Sequence, residues 1–116
     1  MLRKLEAALD DCARHGITRT YGQMADQLQI EGPRRIGQLT AALETLMEQD
    51  AKALQPLRAA LVVGRTTGGL PARGFFQKAH ALGLCEDPQS PTGTQDFHAR
   101  QLQDLFAMAA GGPSKA

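Results

Sequence analysis

The sequence predicts a mainly helical α+β domain. Three observations carry that prediction. Apolar residues recur at steps of three and four along most of the chain, one short branched run has strand character, and glycine and proline separate the periodic segments. At 116 residues and 42% hydrophobic, the chain suits one modest core. A single domain is expected over 1–110, with a surface loop at 83–95, a C-terminal helix over 96–110 and a disordered tail at 111–116.

Leu2, Leu5, Leu9 and Cys12 share one helical face, with Arg3, Lys4, Glu6, Asp10, Asp11 and Arg14 elsewhere, so residues 2–15 predict an amphipathic helix closed by Gly16. Ile17 to Thr20 is short and partly β-branched, which predicts a small edge strand. Thr20 and Gln23 have the spacing of a capping box, and a second helix starts there. Gly22 falls in its first turn, before the helix interior begins, where its lost backbone entropy is tolerable.

Gly32 and Pro33 mark a bend and a pre-set helix start. The third helix places Ile36, Leu39, Leu43, Leu46 and Met47 on one face, the strongest periodic pattern in the chain. Its opposite face carries Arg34, Gln38, Ala41, Ala42, Thr45 and Gln49, with no acid until Glu48. Leu57 to Arg65 predicts a strand, Thr66 to Gly69 a turn and Leu70 to Arg73 a short return strand. GFFQKAHALG then begins a small helix, on one face of which Phe75 and Phe76 cannot both be buried. The last helix, from about residue 96, packs through Leu102, Leu105, Phe106 and Ala109. That order predicts a winged helix-turn-helix with a β-hairpin wing and additional C-terminal helices.

Chemistry is sparse. With 13 basic and 12 acidic residues, no whole-molecule charge argument for a nucleic-acid partner exists. No apolar run approaches the roughly 20 residues of a membrane helix, and MLRKLEAALDD turns acidic too early for a signal peptide, so a soluble, cytoplasmic protein is expected. Cys12 and Cys85 read as free thiols, and their spacing with His15 and His80 is too loose to argue for a metal. His15, His80 and His98 lack a nucleophile context, and GRTTGG lacks the lysine ending of a P-loop. No catalytic residue, metal or cofactor is expected.

Local clustering is more informative. Between Ala51 and Lys78 stand Lys52, Arg58, Arg65, Arg73 and Lys78 without one acid, and Arg34 and Arg35 precede them. On a winged helix these lie on the recognition helix and the hairpin, the elements presented to a duplex, where phosphate contacts give salt-sensitive affinity. Double-stranded DNA is therefore the expected partner, through Tyr21, Arg34, Arg35, Gln38, Arg65, Arg73 and Lys78. The alternative is a protein-interaction adaptor, in which an exposed Phe75 or Phe76 docks a partner and the basic groups steer it.

Thr20-Tyr21-Gly22-Gln23-Met24-Ala25 followed by Arg34-Arg35-Ile36-Gly37 resembles the motifs in the helix-turn-helix of alkylguanine DNA alkyltransferases and alkyltransferase-like proteins. The resemblance implies that Tyr21 meets the target phosphate, that Arg34 fills the duplex in place of a flipped nucleotide, and that Gly37 lets the recognition helix approach the minor groove. The likeness covers about a third of the chain. It stops at the family's Pro-Cys-His-Arg motif, since Pro56 is followed by Leu57, Arg58 and Ala59, so it implies binding without alkyl transfer.

Overall fold

The computed structural model describes residues 1–110, and the tail expected over 111–116 lies outside them. The described chain is mainly helical with one two-stranded parallel sheet. Helix α1 spans Leu2–His15, and Leu5, Ala8, Leu9, Cys12 and Ala13 are its buried face. Gly16 ends it at φ 65, where its N–H donates to Ala13 O and the N–H of Ile17 to Cys12 O. Both bonds satisfy carbonyls that the last helical turn leaves open, and a glycine takes that left-handed position without a Cβ penalty.

Strand β1, Arg19–Thr20, leads directly into helix α2, Tyr21–Gln27. The capping box is complete: Gln23 N–H donates to Thr20 Oγ1 at 3.1 Å, and Thr20 N–H donates to Gln23 Oε1 at 2.9 Å. Met24 and Ala25 anchor α2 in the core. After a turn, helix α3 runs from Arg35 to Lys52 and buries Leu39, Leu43, Leu46 and Met47 as the spacing predicts. Ile36 does not join them. It is 40% exposed, because it lies in the first turn and the buried stripe begins only at Leu39.

The strand expected over Leu57–Arg65 is mostly replaced by a 3-10 helix at Arg58–Leu61, leaving strand β2 only Val62–Val63. Side chains from elsewhere take the backbone donors that a longer strand would use. Leu57 N–H donates to Gln101 Oε1 at 2.7 Å, and Arg58 N–H donates to a carboxylate oxygen of Asp50 at 3.0 Å. The run is buried all the same, from Ala59 through Val63. β2 pairs with β1 in parallel, Arg19 against Val62 and Thr20 against Val63.

The return strand expected at Leu70 to Arg73 is absent. Gly64 N–H donates to Leu70 O at 2.8 Å and the Thr67 hydroxyl also bonds that carbonyl, which closes residues 64–70 into a loop. Pairing cannot continue beyond it. Pro71 has no N–H, Ala72 N–H donates to the Tyr21 hydroxyl, and Arg73 already begins helix α4, Arg73–Ala81.

Phe75 and Phe76 are both buried, at 6% and 4% exposure, contrary to the sequence expectation. The short helix is covered on two sides rather than one. Phe75 lines one cleft with Tyr21, Leu43, Met47 and Ala59, Phe76 lines another with Leu70, Pro71 and Thr94, and the two rings meet edge to face at 5.1 Å.

Helix α5 begins at Pro91 and reaches Ala109, so the expected loop is shorter and the helix longer than 83–95 and 96–110 imply. Ser90 Oγ accepts from Gly93 N–H at 3.0 Å and Pro91 occupies the first helical position, a combination that starts a helix rather than extending a loop. One hydrophobic cluster draws residues from Leu5 to Leu105. Among the described residues, no helix is long and apolar enough to cross a membrane.

Candidate nucleic-acid interface

Helices α2 and α3 pack together around the turn at 28–34. This connection is longer than the about three or four residues of a tight helix-turn-helix. It folds back through Gln29 at φ 58 and drops Ile30 into the core, where Ile30 N–H donates to Ala25 O. Arg35 then locks the corner. Its guanidinium donates to Asp26 Oδ1 at 2.8 Å and to the carbonyls of Gly22 and Ile30 at 3.3 Å each.

Arg35 was expected as a contact to DNA, and its donors are instead engaged within the protein. Arg34, one residue earlier, is exposed and makes no ion pair among the described residues. Gln38, Ala41 and Thr45 are also exposed, further along the same side of α3. A Cβ added at Gly37 would meet nothing within 4 Å, so packing inside the protein does not demand glycine there.

Tyr21 is half-buried against the core, and its hydroxyl accepts from Ala72 N–H at 3.0 Å. Burial pushes the phenol pKa up, partly countered by the Ala72 bond. The hydroxyl proton has no acceptor among the described residues. This bond seats the start of α4, with Arg73 as its first residue, beside the first turn of α2, while the Arg35 bond to Gly22 seats the start of α3 against the same turn. Tyr21, Arg34 and Arg73 therefore belong to one neighbourhood where three helices begin. Arg65 is exposed in the turn at 65–69, and Thr67 of that turn borders a cleft with Arg73.

Two other members of the basic run are not free. Lys78 Nζ, expected at the interface, pairs with Glu48, which raises its pKa. Arg58 faces inward, donating from Nε and pairing through its NH2 group at 2.8 Å with Asp50, and reaching Glu6 at 3.0 Å. The bonds to Asp50 raise the Arg58 pKa against the opposing effect of burial, with Glu6 adding to them. Lys52 is exposed.

Asp50 is the consequential side chain that sequence reasoning missed. Asp50 is 4% exposed and continues the buried stripe of Leu43, Leu46 and Met47, so an acid at a core register was the available clue. His98 is buried, with Nε2 2.8 Å from Ala60 O, which fixes Nε2 as the protonated nitrogen. Its pKa is lowered by burial, partly offset by that bond. Both cysteines are buried and free. Set against known family models, curated proteins and solved structures, the chain matches none.

Proposed function

We propose that the chain binds double-stranded DNA without performing chemistry, as a winged helix-turn-helix in which α3 is the recognition helix and the closed loop at 64–70 stands in place of a hairpin wing. It acts as a regulator or as a lesion-marking binder. The observation that carries the reading is the outward side of α3. Arg34, Gln38, Ala41 and Thr45 are exposed together, and Arg35 neutralises Asp26 at the adjoining corner. A groove of phosphates would meet cations and small side chains there, with Arg65 and Arg73 flanking.

The resemblance to the alkyltransferase helix-turn-helix fits two further features. The unengaged hydroxyl proton of Tyr21 suits a phosphate oxygen as acceptor, and the open space over Gly37 suits close approach of a backbone. Alkyl transfer is no part of the proposal, since a leucine follows Pro56. The adaptor reading has lost the residues that motivated it, because Phe75 and Phe76 lie in the core.

The test is fluorescence anisotropy with a labelled duplex across a salt series. Wild-type affinity should fall steeply with salt. Arg34→Ala should weaken binding and reduce the logarithmic salt slope by about 1, while changing stability by no more than about 0.5 kcal/mol. Replacing Arg34, Arg65 and Arg73 together should leave little salt dependence. Equally weak binding by the wild type and that triple variant would sink the proposal. Comparing a plain duplex with one carrying an alkylated guanine separates the lesion binder from the regulator.

A further inference from the structure

At the end of α3 away from Arg34, a strained residue contributes nothing to the core. Leu54 follows the helix at φ 58, with its N–H donating to Ala51 O and the N–H of Gln55 to Asp50 O. That bond pattern normally places glycine in the left-handed position, where a Cβ costs about 1 kcal/mol. Burial of the side chain would offset the cost, yet Leu54 is 90% exposed. Gln29, the other non-glycine residue at positive φ among the described residues, is polar, as suits a solvent-facing turn.

Next to Leu54 opens a groove of about 500 Å³ between α1, the end of α3 and the end of α5, bordered by its neighbours Ala53 and Gln55. Its walls are mainly apolar, with Leu9, Ala13, Leu105 and Met108 among them, and Met108 is 49% exposed. Asp50 and Arg58 at this groove are already bonded to each other. Asp10 on its rim is held only loosely, 3.6 Å from Arg14 with its side chain 65% exposed. Lys52, two residues before Leu54, is exposed and makes no ion pair among the described residues. An apolar knob thus carries a cation, and an apolar hollow beside it carries an anion.

The geometry points to a symmetric dimer of this chain, in which Leu54 of each copy enters the groove of the other and Lys52 of each approaches Asp10 of the other. A twofold axis between knob and hollow satisfies both contacts twice, the self-complementarity that a symmetric dimer requires. A second copy is favoured over an unrelated partner because this one chain supplies both halves of the contact, an exposed leucine two residues from an exposed lysine and an apolar groove with an aspartate on its rim. The inference does not depend on DNA binding. In an α3 of 18 residues, about 27 Å long, Arg34 precedes the first turn and Leu54 follows the last.

Sedimentation velocity over a range of chain concentrations tests it, and a reversible monomer–dimer equilibrium is expected. Leu54→Gly suits the left-handed backbone, so its melting temperature should hold or rise. Its dimer dissociation constant should nevertheless rise by about a hundredfold, because two leucines leave apolar contact at once. Asp10→Lys and Lys52→Asp should each weaken the dimer, and the two together should restore it. A chain that stays monomeric at every concentration would overturn the inference. So would a dimer indifferent to Leu54→Gly, or a charge exchange that fails to restore association.

Discussion

The two ends of α3 put similar ion pairs to opposite use. At the start, Arg35 binds Asp26 across an open corner where the acid's side chain is 74% exposed, and the pairing leaves Arg34 free toward solvent. At the finish, Asp50 is 6% exposed in its side chain and grips Arg58, drawing a cation out of the surface into a contact between α1, α3 and the 3-10 helix. The first pair clears a surface, and the second closes a core. A count of cations along a chain is therefore no count of available cations. Lys78 and Glu48 make the same point from positions 30 apart.

The largest effect should come from breaking the buried pair. Asp50→Ala leaves the backbone N–H of Arg58 without its acceptor and its guanidinium with Glu6 alone, and should cost about 3 kcal/mol in a urea unfolding experiment. A loss below about 1 kcal/mol would erase the contrast, because the pair would then behave like a surface one. At the other end, Arg35→Ala should cost only about 1 kcal/mol, since the Asp26 carboxylate stays hydrated and two carbonyl bonds are lost. It should also weaken duplex binding, because Asp26 would face the phosphates uncompensated. Retained affinity in that variant would show that the corner lies off the interface.

A mild fall in pH should have the smallest effect. His98 has a folded-state pKa below its usual 6.5, so between the two values the unfolded chain holds the extra proton and protons favour unfolding. Its contribution is complete above about pH 6.5 and declines as the pH drops through that value toward the folded one. Melting temperatures from about pH 7.5 to about pH 5 should show this slope in the wild type. His98→Gln, which keeps a donor for Ala60 O, should flatten it. An unchanged slope in that variant would assign the effect to other groups.

Much of the helical frame is legible in the amino-acid order. The stripes of Leu5, Leu9 and Cys12 and of Leu39, Leu43 and Leu46 follow helical spacing, and Thr20 with Gln23 form a local cap, so neighbours a few positions apart determine them. The failures lie where distant side chains intervene. Asp50 and Gln101 take the donors of Arg58 and Leu57, turning an apparent strand into a 3-10 helix. Tyr21 takes the Ala72 donor on which a return strand would depend. Pro91 and Gly93 look like loop residues until Ser90 is seen capping them. Of the proposed interface, Arg34, Gln38, Arg65 and Arg73 are exposed, whereas Arg35 and Lys78 are each paired with an acid, a pairing that local spacing does not reveal because the acids sit on other elements.

The parallel pairing of Arg19–Thr20 with Val62–Val63 has a consequence for synthesis on the ribosome. Both two-residue strands are useless alone, and the segment between them, which includes α2 and α3, is closed at its base only when the later strand emerges. The first three helices can form as they leave the exit tunnel, but α2 gains its clamp at the base only after Val63 has been made. A translational pause placed before that point would hold the nascent chain with its apolar faces uncovered, a window in which a chaperone would find it.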